Sequence, residues 1–534
     1  MLILPTDCYP HERNRYRSYL ITLIIRFNYI NMNLTKSLLF VVGLLTINVC
    51  AYGADYSDAN FNYKYNKTQK FARVESTVKK TATSLTIPSK ITVSGVSYPV
   101  TQIGDYALSD LHNLKSVTIP SSVTEIREGA FCNCFELQSV QIPSKVTKIS
   151  PSCFSMCLKL SEVSLPKNLV EIGSGAFMYC ESIDIINWPS TLSKIDEYAF
   201  YACKLPNFVA LPAACVEIGQ EAFRSTDVVT FQLPAKVNNI GRKAFADNNS
   251  LLGITMPTTV GTMGEMAFFG NVELLYVTLP KSIGRMGEST FERCDKLNQV
   301  DWCPSLTTVP NRTFYMCEDL EWITLPDNVT SIGDSAFGEC YSLKEFHFPA
   351  QLKVIGNNAF DYDNLGEITF PNGLTTIGEA AFFANSRLET LTIPASVTEI
   401  GANAFNNNPH LDVIKVESAT PPILGSDGFN QYTYFSALLQ VPEQSVMAYK
   451  RAAEWCNFQY INDRASGIEL IPADDTVTPD DVAPLELYDL QGHKSSSTRG
   501  VLIDPAPAPP RYTRYISNRG YISNRDILIF ITYL

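Results

Sequence analysis

The chain has 534 residues, of which 45% are hydrophobic, and it carries a formal net charge of −12 with a pI near 5.1. This apolar content is enough to build a large core. Nucleic-acid-binding proteins present a basic surface to the phosphates, so the acidic balance argues against a nucleic-acid partner.

The first 53 residues are predicted to be a leader that ends in a secretory signal peptide. Met32 is followed by a short basic lead and is the predicted true start of translation. Residues 38–49 form an apolar run that is too short to span a bilayer as a helix. Small residues at positions 51 and 53 then place the predicted cleavage just before Ala54.

Two other interpretations of this leader stay open. Residues 19–30 could serve as an added membrane anchor within a longer leader. Cys50 could carry a lipid, although Val49 is a poor residue to precede a lipidated cysteine.

Residues 54–101 lack the repeat that follows and are predicted to form an N-terminal β cap. Residues 61–65 and 70–74 alternate apolar and polar side chains, as half-buried strands do. Residues 85–88, Leu-Thr-Ile-Pro, already contain half of the repeat pattern. A solenoid needs such a cap because the end of its core would otherwise be open to water.

Residues 102–408 are an array of repeats that follow the pattern F-x-x-C/N-x-x-L-x-x-V-x-I/L-P-x-x-V-x-x-I-G-x-x-A-F. Successive phenylalanines lie 23 residues apart, except for two spacings of 22, and Leu108 fills the slot one period earlier. A fixed period of this length is typical of a solenoid. The marker phenylalanines are Phe131, Phe154, Phe177, Phe200, Phe223, Phe245, Phe268, Phe291, Phe314, Phe337, Phe360, Phe382 and Phe405.

Each repeat is predicted to form one coil of a mainly β solenoid. In the first full copy, residues 137–142 alternate inward and outward as a strand does, and Pro143 ends that strand because it has no N–H to donate. Residues 146–149 form a second, shorter extended piece. The Gly-x-x-Ala-Phe piece is expected to close the coil as a tight turn or a single helical turn.

One coil departs from the pattern, because Trp302 takes an inward slot and Pro304 arrives one residue late. Its strand is therefore predicted to end one residue further on. In the same coil Pro310 replaces the repeat glycine. Proline fixes φ near −65°, so this position does not need a left-handed backbone. The repeat glycine is predicted to allow close packing or easy turning.

Residues 409–462 are predicted to be a degenerate last coil and a C-terminal cap. The cap is expected to contain a strand at residues 437–441 and a helix over residues 446–455, with Ser445 as its N-cap. Residues 463–484, rich in Asp, Pro and Thr, are predicted to be a linker. Residues 485–534 are predicted to be a small sorting-like segment with a disordered tail.

Seven of the fourteen cysteines lie three residues after a repeat phenylalanine, where other coils carry Asn, Asp or Thr. A slot that accepts these types needs a small side chain that can hydrogen-bond. We predict that it satisfies backbone groups at the turn between coils, and that the thiols are free and buried. Disulfides between adjacent coils are sterically possible. A metal site is the other alternative, although zinc gathers its ligands tetrahedrally and these cysteines form a line.

The sequence offers no motif for catalysis, so no enzyme activity and no cofactor are expected. The five histidines, at positions 11, 112, 347, 410 and 493, belong to no metal or nucleophile motif. No phosphate-binding loop and no paired-carboxylate signature appears.

The residues predicted to face outward from the sheet lie two and four positions before each repeat proline. Most are Thr, Ser or Gln, and large apolar groups among them are candidate anchors for recognition. The alternative is that threonine and aromatic residues simply suit strands. The candidate ligand-binding residues are Ile185, Phe208, Tyr276, Trp322, Glu345 and His347.

Copies such as residues 332–340, Ile-Gly-x-x-Ala-Phe-x-x-Cys, resemble the BspA-like leucine-rich repeats of bacterial surface proteins. The resemblance covers about residues 85–462, including a closing segment at residues 441–455. Residues 487–492 are similar to C-terminal segments of secreted Bacteroidetes proteins. The family resemblance implies a leucine-rich-repeat solenoid, no catalytic residues, and in some members adhesion to host matrix proteins or to other cells.

The leading functional hypothesis is a secreted or cell-surface protein that binds a protein or glycan on host matrix or on other cells through its exposed sheet. The alternative is a passive scaffold or spacer with no ligand of its own. Neither hypothesis involves nucleic acid or a small-molecule cofactor.

Overall fold

The repeats wind into a succession of coils that share two sets of parallel β-strands, here called the first and second ladder. The structure is a computed structural model that describes residues 56–183 and 187–463. These residues belong to one compact unit, Met1–Gly467, and a second unit comprises Ile468–Leu534. The predictions for the leader, for the C-terminal segment and for nearly all of the linker concern residues outside the described ranges.

The first ladder is formed by the alternating segment of each repeat, as the sequence predicts. Its described strands pair in parallel in four successive sheets, which end at Ser164, Thr255, Ile323 and Ile461, and the second residue of each strand points into the core. The strands are Ser84–Thr86, Ser116–Thr118, Ser139–Gln141, Glu162–Ser164, Phe208–Ala210, Thr230–Gln232, Gly253–Thr255, Tyr276–Thr278, Gln299–Asp301, Trp322–Ile323, Glu367–Thr369, Thr390–Ile393, Val413–Val416, Leu438–Gln440 and Tyr460–Ile461.

The second ladder is formed by the shorter extended piece, and it too is parallel throughout the array. It is interrupted between Ile126 and Lys148 and again between Met286 and Thr308. Its strands are Glu125–Ile126, Lys148–Ile149, Glu171–Ile172, Lys194–Ile195, Glu217–Ile218, Asn239–Ile240, Thr262–Met263, Arg285–Met286, Thr308–Val309, Ser331–Ile332, Val354–Ile355, Thr376–Ile377, Glu399–Ile400 and Ile423–Leu424.

The repeat phenylalanines form a continuous column of stacked rings through the core. Neighbouring centroids lie between 5.2 and 5.7 Å apart. Phe429 of the degenerate last coil extends the column, since it stacks on Phe405 at 5.5 Å. Burial of each ring contributes roughly 1.5–3 kcal/mol, so this column stabilises the stacking of the coils.

The turn around each phenylalanine is closed by left-handed backbone rather than by a helical turn. In the coil of Phe337, Ser335 has φ 51° and Glu339 has φ 61°. The same two positions, two before and two after the ring, are left-handed in most coils. The ladders fix the spacing between coils, so the chain has to change direction within a few residues. The left-handed residues on either side of the phenylalanine make this change of direction possible.

The repeat glycine has no left-handed φ and lies against the preceding coil, which confirms the prediction of close packing. A Cβ added to Gly287 would lie 2.3 Å from the backbone nitrogen of Glu265, and one added to Gly401 would lie 2.3 Å from that of Glu379. Side chains are therefore excluded at these coils by the neighbouring backbone.

The N-terminal cap is a small sheet that joins the second ladder. Phe61–Asn66 and Phe71–Thr77 form an antiparallel hairpin, with Tyr56–Ser57 paired to its outer strand. Lys90–Val93 and Val96–Ile103 form a second hairpin. The last of these strands pairs in parallel with Glu125–Ile126, so the cap continues directly into the array.

The C-terminal cap differs from its prediction in the length of its helix. The helix covers only Val446–Tyr449 and follows a 3-10 turn, Glu443–Ser445, so Ser445 makes no side-chain cap. Glu454 takes φ 64° and breaks the helical path, which lets Trp455 turn inward and donate its indole N–H to Pro422 O at 2.8 Å. The other helical elements are Gln431–Ser436 and the 3-10 turn Trp455–Asn457.

The irregular coil also differs from its prediction. Its first-ladder strand, Gln299–Asp301, ends at the same register as its neighbours and not one residue later. Trp302 therefore lies outside the strand, half-buried, with its ring 6.0 Å from that of Phe314. Cys303, which is 1% exposed, takes the buried position beside it.

Candidate functional site

The outward face of the first ladder carries three large exposed aromatic side chains. Phe208 is 59% exposed, Tyr276 55% and Trp322 48%. Each begins its strand, and the residue that follows it is at most 4% exposed. Successive side chains of a strand point to opposite faces. Because the residue after each ring is buried in the core, the ring itself points outward.

The three rings occupy the same position of the repeat and form one column, which is divided between two sheets: Phe208 lies in one, and Tyr276 and Trp322 lie in the next. Phe208, Thr230 and Gly253 are register partners, and so are Tyr276, Gln299 and Trp322. Rungs are about 4.8 Å apart, so Tyr276 and Trp322 are separated by roughly 10 Å along the ladder.

The ring of Tyr276 lies beside Gly253 of the preceding coil. A Cβ added to Gly253 would meet ring atoms of Tyr276 at 3.5 and 3.6 Å, which are ordinary van der Waals contacts. The sequence could indicate this contact only through the alignment of neighbouring repeats.

The polar positions around the rings are nearly without charge. From Phe208 to Thr324, Asp301 is the one charged residue at the outward positions of the described strands. Its carboxylate accepts the Thr278 hydroxyl at 2.9 Å and the Gln299 amide at 3.4 Å. These three side chains form a hydrogen-bonding patch between the rungs of Tyr276 and Trp322.

Two of the predicted residues, Glu345 and His347, are exposed but do not lie on a strand, which corrects the prediction for this coil. The inward slots between and after them hold Phe346 and Phe348, whose rings contact each other at 4.8 Å. Two rings on one rung occupy more space than the usual aliphatic pair, so the ladder pairing is lost. The remaining predicted residue, Ile185, lies outside the described residues.

The cysteine slot satisfies backbone groups between coils, as predicted. Each of the seven thiols donates to a carbonyl of the preceding coil, and the Sγ to O distances are between 2.8 and 3.3 Å. Asn248, Asn385 and Asn408 make the equivalent bond, as Asn385 Nδ2 does to Phe360 O at 2.7 Å, whereas Asn271 donates to Phe268 O of its own coil. The seven are Cys134, Cys157, Cys180, Cys203, Cys294, Cys317 and Cys340.

All twelve cysteines of the described ranges are free, including these seven. Burial raises the pKa of the thiols of Cys134, Cys157, Cys180, Cys294, Cys317 and Cys340. A buried thiolate would lose its hydration, so these cysteines serve as small hydrogen-bond donors.

Within residues 56–183 and 187–463, no group of three or more His, Cys, Asp and Glu residues is arranged to hold a metal ion. In the same ranges, no helix has both the length and the apolar character needed to cross a membrane.

A groove that the sequence did not predict lies on the second ladder. It has a volume of about 820 Å³ and spans five coils. The residues of its walls include Asn239, Thr262, Arg285, Thr308, Asn311 and Ser331. The irregular coil of Trp302 and Pro310 is one of these five coils. Its departure from the repeat pattern was the one sign in the sequence that this part of the ladder differs.

Several solved structures resemble this chain. A leucine-rich repeat protein from Bacteroides ovatus is 24% identical with a TM-score of 0.50, over 68% of this chain and 94% of that one. A leucine rich cell surface protein from Faecalibacterium prausnitzii is 21% identical with a TM-score of 0.37, over 77% and 95% of the two chains. The first of these likenesses shows the fold alone. No protein of curated function matches the sequence.

A family model matches most of the chain. The model describes the BspA type leucine rich repeat region, and it matches in six copies at residues 82–207, 216–321 and 307–434. These ranges contain the stacked phenylalanines, the hydrogen-bonded cysteine slot and most strands of both ladders. The chain therefore belongs to the BspA type leucine-rich-repeat family.

Proposed function

We propose that this chain is a secreted or cell-surface binding protein that recognises a protein or glycan on host matrix or on other cells through the first ladder. The observation that carries the proposal is the column of Phe208, Tyr276 and Trp322, which are about half exposed on an otherwise short and polar face. Isolated exposed apolar groups are common, but aligned aromatic anchors with adaptable polar neighbours favour recognition.

The chemistry of the face supports binding rather than catalysis. The rings offer flat apolar surface, and Thr278, Gln299 and Asp301 offer hydrogen bonds beside it. The proposal assigns no catalytic residue and no cofactor to the face. The location follows from the predicted signal peptide and from the family resemblance.

The test is a binding screen of the full chain against matrix proteins and a glycan array, followed by the variant Tyr276→Ala with Trp322→Ala. The double variant should lose most of the binding, since aromatic anchors each contribute about 2 kcal/mol or more at such sites. Its melting temperature should stay near that of the parent, because both rings are exposed. Thr390→Ala, on a distant rung of the same face, is the matched control.

Unchanged binding by the double variant would exclude this face as the site. If the screen gives no ligand at all, the alternative function of a passive scaffold or spacer takes its place. That outcome is distinguishable from misfolding because the melting temperature is measured in parallel.

A further inference from the structure

The groove on the second ladder crosses the second interruption of that ladder. The strand Arg285–Met286 ends one sheet, and Thr308–Val309 begins the next. In the preceding coil, Gly287 donates its N–H to Met263 O at 2.9 Å. Pro310 stands at the corresponding position of the irregular coil and has no N–H. The bond that would join it to the coil of Met286 cannot form.

The other interruption of the second ladder is bridged differently. There Ser150 stands at the glycine position, and its hydroxyl donates to Ile126 O at 2.6 Å. Proline has no such group, so the two strands at Pro310 are left without this bridge. The groove lies along this stretch.

Polar side chains outnumber apolar ones in the walls of the groove. Met263 and Met286 are 2% and 7% exposed and face the core, so they provide no pocket for an apolar side chain. Further toward the N-terminus the same column is filled by paired long side chains, such as Lys148 with Glu171 at 2.9 Å. The short polar residues that replace them here are Asn239, Thr262, Thr308 and Ser331.

Arg285 is the cation of this groove that has no partner. Its guanidinium is exposed and makes no ion pair or hydrogen bond with any residue of the described ranges. The two carboxylates of the groove contact side chains other than Arg285. Glu265 lies 3.4 Å from Arg242, and Glu288 accepts the amide of Asn311 at 3.3 Å.

We propose that the groove binds an oligosaccharide that carries a carboxylate, with the carboxylate paired to Arg285. An arginine fork matches a carboxylate with two parallel hydrogen bonds. The hydroxyls of Thr262, Thr308 and Ser331 then contact the sugar hydroxyls. An acidic peptide fits less well, because it needs pockets for its side chains and this groove has none. The volume of about 820 Å³ suits a ligand of several sugar units.

The test measures binding of tetragalacturonate to the full chain by calorimetry, with the methyl ester of the same oligosaccharide as the uncharged counterpart. Arg285→Gln should weaken tetragalacturonate binding roughly tenfold or more, as loss of a charge-assisted pair does. Arg285→Lys should give an intermediate affinity, because it keeps the charge and loses the fork. Glu288→Gln should tighten binding, since it removes a nearby like charge.

Lys281→Gln is the matched control, because it removes the same charge from an exposed residue of the same coil outside the groove. It should leave the affinity unchanged, and so should Tyr276→Ala with Trp322→Ala on the first ladder. The melting temperature of Arg285→Gln is measured beside these to show that it is folded.

Four results would overturn the proposal: no binding of tetragalacturonate by the parent protein, equal binding of the methyl ester, unchanged binding by Arg285→Gln, or tighter binding of a polyglutamate peptide at Arg285. Loss of binding in the first-ladder double variant would also overturn it, because it would move the saccharide to the other face. None of the four results tests the binding proposed for the first ladder, which is a separate proposal.

Discussion

Asp363 and Asn385 occupy the same slot in consecutive coils but bond to the neighbouring backbone differently. Asn385 accepts the N–H of Leu365 at 3.2 Å and donates to Phe360 O at 2.7 Å. Asp363 accepts the N–H of Cys340 at 2.8 Å, but its second oxygen is buried without a partner among the described residues. Burial raises the pKa of Asp363 well above its ordinary value, because the carboxylate loses its hydration.

Because of this raised pKa, we predict that Asp363→Asn increases the free energy of unfolding by an amount that depends on pH. An aspartate whose folded pKa is raised contributes stability below its unfolded pKa of about 4 and loses it as the pH rises through the folded value. Asparagine does not titrate and adds the missing donor. The free energy of unfolding of the variant should therefore exceed that of the parent by about 1–3 kcal/mol at pH 7.5. The difference should be smaller at pH 4. Urea denaturation at both pH values measures the difference.

Asn271→Asp is the reciprocal control. Asn271 donates to Phe268 O at 2.8 Å and accepts the N–H of Asn248 at 2.9 Å, so aspartate there would lose the donor and bury a charge. It should be less stable than the parent at pH 7.5. Asp361, whose pKa burial raises to about 6, is one of the charges that raise the pKa of Asp363, so its own pH dependence cancels in the Asn271→Asp comparison but not in the Asp363→Asn comparison. A less stable Asp363→Asn would contradict the account of the slot.

The stacked column predicts a large cost for Phe337→Ala. The ring lies 5.4 Å from Phe314, 5.2 Å from Phe360 and 5.1 Å from Phe346, and it is fully buried. Its removal leaves a cavity between three rings and should cost about 3–5 kcal/mol. Chemical denaturation checks this value. Tyr276→Ala, which removes an exposed ring, should change stability by no more than about 0.5 kcal/mol.

The glycine contacts predict that Gly356→Ala is destabilising. The added Cβ would lie 2.7 Å from the backbone of both Gly333 and Asp334, so the two coils would have to move apart, at a cost of about 1–3 kcal/mol. Gly366, ten residues further along, has no heavy atom nearer than 4.0 Å to such a Cβ. Gly366→Ala should therefore be neutral, and similar melting temperatures for the two variants would refute the packing role.

The buried thiols predict a sharp pattern of chemical modification. In the native protein a maleimide at pH 7 should react first with Cys456, which is exposed. Cys132 is partly buried and burial raises its pKa to about 11, so it should react slowly. The seven slot cysteines should react only in denaturant, as peptide mass spectrometry would show. Rapid native labelling of Cys180 or Cys317 would be inconsistent with their bonds to the backbone.

The sequence was sufficient to predict the ladders, the ring column and the role of the cysteine slot. These features repeat, so every copy constrains the others, and exchange of Cys340 with Asn385 and Thr226 at one slot reveals its chemistry. The exposure of Phe208, Tyr276 and Trp322 followed from strand alternation alone.

Features of single coils could not be predicted in this way. The lost strand at Glu345–His347 depends on how Phe346 and Phe348 compete for space with rings of other coils. The broken helix before Trp455 depends on a distant carbonyl, that of Pro422. The groove at Pro310 depends on a hydrogen bond between two coils that cannot form because proline has no N–H. A periodic sequence pattern describes the residues of a single coil and does not show such bonds between coils.

The direction of the ladder bonds determines how the solenoid responds to mechanical load. Both ladders join each coil to the next by hydrogen bonds that run along the stacking direction, so tension between the ends would load the coil interfaces in series. The end coil would peel first, and each detached repeat of 23 residues would release roughly 75 Å of chain. A protein with this connectivity lengthens in steps under force while the coils that remain stacked keep their surface intact.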